Sequence, residues 1–190
     1  MNIQLTWDLF ILVFFAVVIA YSFIIGRNQT LKVILGTYTA ILCADALGNL
    51  FAKHLVTSET FLKILKFFTI GTEAQAVAFF KVLILLVLIV LIAVRGLFQV
   101  DAESEGAVSL RMAILLVLGI LSAGLMLSAV MVFVSGGSLV AGTSIGSSNI
   151  LSDVYQNSRL VKIMLDYANF WFFLPGVAFV TLGILHKKSA

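Results

Sequence analysis

The sequence predicts an all-α, polytopic transmembrane helical bundle of about five spans (four to five), with one or two amphipathic surface helices. Three observations carry this. Of 190 residues, 62% are hydrophobic and only 11% charged, where an ordinary globular chain has about 45–50% and about 25%. Mean hydropathy is +1.16. The apolar runs are also long enough to cross a bilayer core, which takes about 20 residues at about 1.5 Å per residue. So few polar groups cannot cover a water-soluble surface. A soluble enzyme, a disulfide-stapled secreted domain and a disordered tail are therefore excluded. The runs lack the alternation of barrel strands, and backbone in lipid must satisfy its own hydrogen bonds, so each is predicted to be helical.

The first span is predicted at 9–25. Asp8 precedes it, with no Lys or Arg before the apolar stretch, so it lacks the basic start of a signal peptide and is expected to be a retained span. Gly26-Arg27-Asn28-Gln29-Thr30 forms a tight hairpin to the second span, 31–51. In 52–73, Phe61, Ile64, Leu65 and Phe68 fall at helical spacing with Lys63 and Lys66 between them, and Ser58 and Glu59 suit a helix start. A surface helix is predicted at 59–70; a packed re-entrant helix would carry the same pattern. The third span is 74–94, the acidic loop 100–111 follows, and the fourth span is 112–134. The segment 135–149 is rich in Gly and Ser and is expected to be a flexible loop outside the bilayer. It lacks the Gly-x-x-x-x-Gly-Lys-Ser/Thr pattern that cradles phosphates.

A second surface helix is predicted at about 154–165, capped by Asn157 or Ser158. Its charged face carries Arg159, Lys162 and Asp166. The fifth span, 166–185, contains Pro175, which is expected to kink or break it. Trp7, Trp171 and Tyr167 suit interfacial anchoring. Cys43, the single cysteine, lies within an apolar run and is expected to be a small buried hydrophobe.

The net charge of +3 would suggest nucleic acid in a soluble protein. Here the basic residues flank apolar segments, as anchors do, so the bilayer is the expected partner and nucleic acid is not. With five spans, Arg27, Lys32, Arg95, Arg111, Lys187 and Lys188 share the side of the C-terminus. Lys53, Lys63, Lys66, Lys81, Arg159 and Lys162 fall on the other side. The count ties. Lys81 is expected within the membrane, and the first set crowds span ends and short loops. The reading is therefore N-terminus outside and C-terminus cytoplasmic.

Asp45 draws the most interest. A carboxylate within a span rarely faces lipid and needs a partner. Asp45 lies nearly as far from the end of span two as Lys81 lies from the start of span three, and those ends share a side, so a candidate intramembrane ion pair Asp45–Lys81 follows. The alternative has Lys81 snorkelling to the surface and Asp45 capped by Asn49, Thr or backbone groups. Span two also carries a stripe of small residues at four-residue spacing: Gly36, Ala40, Ala44, Gly48 and Ala52. Such a face lets helices approach closely, either within one chain or in a homo-oligomer or other membrane assembly. Span four repeats the pattern more weakly with Gly119/Ala123 and Gly124/Ser128. No Ser-His-Asp set, metal-ligand spacing or paired carboxylates occur, so no catalytic, cofactor or metal site is assigned and a non-enzymatic protein is expected.

The span opening Asp8-Leu9-Phe10-Ile11, the Gly26-Arg27 hairpin and the small-residue second span resemble the start of the colicin V production protein (CvpA-like) family of bacterial inner-membrane proteins. The Ser-rich stretch, Ser158-Arg159 through Asp166-Tyr167, and Leu174-Pro175 resemble the family's C-terminal part. The resemblance implies an inner-membrane protein that supports toxin production and secretion or envelope homeostasis, without enzymatic activity. A small channel or transporter, with Asp45 and Lys81 near the path, and a subunit of a larger membrane complex are the alternatives.

Overall fold

The computed structural model describes residues 7–54, 73–95, 108–139 and 158–187. Their elements are all helices: α1 (Trp7–His54), α2 (Glu73–Arg95), α3 (Val108–Val134), α4 (Arg159–Asp166) and α5 (Ala168–Lys187). The predicted surface helix at 59–70 and residues 100–107 of the acidic loop lie outside the described residues, as do 140–149 of the Gly/Ser segment, whereas residues 108–111, expected in that loop, form the first turn of α3.

Helix α1 joins the first two predicted spans through a single non-helical residue, Gly26, at φ 80° and ψ 176°. That region is open essentially to glycine alone. The corner is closed by Thr30, whose hydroxyl donates to the Gly26 carbonyl at 2.9 Å. Only Gly26 breaks the helix, so the expected Gly26–Thr30 connection shrinks to one residue. The chain doubles back there. Ile11 packs with Leu127 and Met131 of α3, Ile19 and Ser22 lie against Gly119, and Asn49 returns to Ser138 just beyond the end of α3. Both ends of α1 thus reach the same end of α3.

Helix α3 is central. Residues from the second arm of α1, α2, α3 and α5 form one buried cluster that includes Ile34, Leu85, Leu118, Leu125 and Phe133. A second cluster joins Ile11 of α1 and Met131 of α3 to Val161 and Met164 of α4. The outer faces are apolar too: Ile24, Val94 and Phe173 are exposed, as lipid-facing residues of a bundle are.

Three helices are long and apolar enough to cross a membrane, or four if the bent pair α4–α5 counts as one span. This is fewer than the five expected, because two predicted spans merge into α1. The fifth predicted span differs as well. The chain bends by 63° between α4 and α5, at Tyr167, and α5 runs on through Pro175. Pro175 has no N–H to give the carbonyl one turn back, and such gaps are tolerated where a neighbouring helix supplies a donor. The Tyr38 hydroxyl donates to the neighbouring Phe172 carbonyl and ties α5 to α1 across this turn.

Helix α4 starts where a cap is available. The Ser158 hydroxyl accepts from the Val161 N–H at 3.2 Å. Val161, Met164 and Leu165 are buried against the bundle, while Arg159, Lys162 and Asp166 are exposed. Cys43, expected buried, is exposed. It lies on the outer face of α1, where a small apolar group suits lipid.

Candidate functional site: a buried ion pair between α1 and α2

The second arm of α1 carries Asp45 toward α2, and α2 carries Lys81 toward α1. The Lys81 Nζ donates to Asp45 Oδ1 at 2.6 Å, with the two side chains 4% and 0% exposed. The stripe of small residues makes this approach geometrically available. Asp45 and Gly48 lie one turn apart on the same face. The Lys81 stem lies directly over Gly48, where a Cβ would come within 2.2 Å of Lys81 Cγ. A side chain there would displace the lysine.

The other stripe residues face the same way. A Cβ on Gly36 would meet Ile92 Cγ2 at 2.4 Å. Ala40 and Ala44 are fully buried, and Ala52 lines a pocket beside Lys81. The stripe is thus taken up within the chain, largely by α2. The small positions of α3 are occupied as well. Gly119 faces Ile19 and Ser22, and Gly124 holds the ring of Trp171. Trp171 is therefore a packing residue of the bundle rather than a free interfacial anchor, whereas Trp7 and Tyr167 are exposed.

The ion pair is completed from a segment predicted to be flexible. After α3 the chain makes a turn through Gly136, at φ 80°. The Gly136 N–H donates to the Phe133 carbonyl at 3.0 Å and the Gly137 N–H to the Val132 carbonyl at 2.9 Å. The turn presents Ser138, whose hydroxyl donates to Asp45 Oδ2 at 3.0 Å. Asn49 donates in turn to Ser138 at 3.0 Å, so it supports the carboxylate through the serine. The Gly137 carbonyl lies 3.5 Å from Lys81 Nζ. The Phe133 ring centroid is 5.6 Å from that nitrogen, within the range of a cation–π contact. Residues 135–138 are thus ordered and largely buried because they close the polar site. Beside it, Phe51 and Phe80 stack at 3.9 Å between ring centroids, fixing α1 against α2.

Sequence reasoning reached Asp45, Lys81 and the stripe, and missed Gly137, Ser138 and Phe133. A topological signal for them exists. Spans two and four end on the same side, so the polar residues that follow span four emerge at the end of the bundle nearer Asp45 and Lys81.

Both carboxylate oxygens and the ammonium have partners, so the charge is neutralised where it is buried. A pocket of about 220 Å³ reaches Lys81, lined also by Ala74, Val77 and Ala78 of α2 and by Gly136 and Gly137. The Ser138 hydroxyl donates to Asp45, whose charge Lys81 balances, and the Gly136 and Gly137 N–H groups are spent on the turn. The arrangement supplies neither a free base for the serine nor a backbone oxyanion pocket. Among the described residues, no group of three or more His, Cys, Asp or Glu could hold a metal ion. Compared with protein-family models, curated proteins and solved structures, the chain matches none.

Proposed function

We propose that the chain is a non-enzymatic, multi-pass protein of the bacterial inner membrane, of the colicin V production type. It supports toxin production and secretion or envelope homeostasis by associating with other membrane components. The observation that carries this is the satisfied Asp45–Lys81–Ser138 site. The bundle spends its buried charge on holding itself together, as a scaffold does. The resemblance at Asp8–Ile11, Gly26-Arg27 and the small-residue second span supports the family reading.

Taking the two arms of α1 as separate crossings gives five spans, with the termini on opposite sides. Charge placement supports N-outside. Arg27, Lys32, Arg95, Arg111 and Lys187 belong to the Gly26 end of the bundle. The described acids other than Asp45, namely Asp8, Glu73 and Asp166, belong to the other, with Lys53, Arg159 and Lys162. The cation-rich end is the cytoplasmic one.

A second reading, a small channel or transporter, draws on the pocket beside Lys81. One experiment separates the two. The protein is reconstituted in liposomes, and its removal from the native host is assayed for envelope permeability to detergents. The scaffold reading expects a leaky envelope in cells and liposome ion flux at background. Flux that Asp45→Asn abolishes would replace it with the channel reading.

A further inference from the structure

The Gly26 end of the bundle holds a second concavity, remote from the ion pair. It is a groove of about 350 Å³ between the two arms of α1, α2 and α3, walled by residues such as Val17, Tyr21, Val33, Val90 and Ala93. Two of the hydroxyls that line it are engaged by backbone carbonyls. Ser22 donates to the Val18 carbonyl at 3.0 Å and Thr30 to the Gly26 carbonyl at 2.9 Å. Such a lining gives water little to bond and suits hydrocarbon. Its walls are residues of candidate membrane spans, so the hydrocarbon at hand is an acyl chain.

The mouth adds charge. Ile25 and Val94 line the groove at that end, and the chain next to them carries Arg27 and Arg95. Lys32 and Arg111 belong to the same end, where no acid occurs among the described residues. The Arg27 Nε is buried and has no hydrogen-bond partner among the described residues. A guanidinium suits a phosphate oxygen better than any other common lipid group, and basic pockets between transmembrane helices on the cytoplasmic side bind anionic headgroups. We infer that this groove binds one anionic phospholipid, with an acyl chain between α1 and α2 and the phosphate at Arg27. The inference rests on the membrane reading of the chain and is independent of whether the protein scaffolds or conducts.

The test is native mass spectrometry, with melting curves, of the full chain in mild detergent. It is titrated with phosphatidylglycerol or with phosphatidylcholine of identical acyl chains. The expected result is one retained phosphatidylglycerol and a raised melting temperature, with phosphatidylcholine held markedly less. Arg27→Gln is expected to remove the preference between the two lipids. Ala93→Phe, which fills the groove, is expected to remove retention of both while the lipid-free melting temperature stays at the wild-type value. If Ala93→Phe does not fold, Val90→Trp fills the groove from its exposed rim and serves the same purpose. Equal retention of the two lipids by the wild type overturns the inference. So does undiminished retention by a folded groove-filling variant, or inorganic phosphate stabilising the protein as well as phosphatidylglycerol does.

Discussion

Asp8 and Ser158, 150 residues apart, share a hydrogen bond of 2.6 Å. The same carboxylate oxygen also accepts from the Leu160 N–H at 3.0 Å. The first turn of α1 therefore caps the first turn of α4, together with Ser158's own cap of Val161. An anionic oxygen at a helix start satisfies N–H groups that have no partner within the helix and complements its dipole.

Replacing Asp8 by Ala is expected to lower the melting temperature, because it removes the acceptor at the start of α4. Asp8→Asn, which keeps an acceptor oxygen without the charge, should lose less. Thermal melting in detergent measures both, and an Asp8→Ala protein as stable as wild type would show that the tie contributes nothing.

The ion pair is expected to behave as a coupled unit. Removing one partner of a buried pair costs about 3–5 kcal/mol, because it strands the other. Asp45→Ala and Lys81→Ala should each be severe, and the double variant should be less damaging than the two losses summed. A double-mutant cycle by denaturant or heat supplies the coupling energy, and strict additivity would exclude it.

Gly48 and Gly26 should respond to alanine for different reasons. At Gly48 a Cβ would overlap the Lys81 stem, at 2.2 Å from Cγ and 2.8 Å from Cε. Gly48→Ala should therefore disturb the ion pair, and adding Lys81→Ala should relieve part of the loss. At Gly26 a Cβ would meet nothing within 4 Å, yet φ is +80°. There the cost, about 1–3 kcal/mol, is backbone strain alone, and no partner substitution should relieve it. Equal rescue of both variants by Lys81→Ala would contradict this division.

Gly124→Leu should expel the Trp171 ring from α3, since even a Cβ would come within 2.0 Å of Trp171 Cε3. Tryptophan fluorescence is the direct readout, with Trp171→Phe in the same background identifying which of the two tryptophans moves. An unchanged spectrum would mean that the ring sits elsewhere.

Local periodicity made much of this legible. Continuous apolar runs specify helices. Glycine with a basic residue between two runs marks the reversal at Gly26. Equal depths on adjacent spans put Asp45 opposite Lys81. What stayed hidden depends on contacts between distant parts of the chain. Ser138 lies 93 residues from Asp45 and sits in a stretch whose composition suggests only flexibility. Pro175 carries a strong local rule, yet α5 runs through it, and the tie at that turn comes from Tyr38, 134 residues away from the Phe172 carbonyl it bonds. The bend at Tyr167 has no breaker residue to announce it.

The order of the ion pair's members along the chain bears on how the protein is made. During synthesis Asp45 emerges 36 residues ahead of Lys81. On its own, an Asp at the centre of a helix opposes entry into the bilayer by about 2.5–3.5 kcal/mol. The second arm of α1 therefore lacks its counterion until α2 has left the ribosome. Its stable partition into lipid is coupled to that later helix, with Ser138 closing the carboxylate only when α3 is in place. Neutralising the carboxylate is thus a step of assembly that follows the synthesis of α2 and α3, not of the arm that carries it.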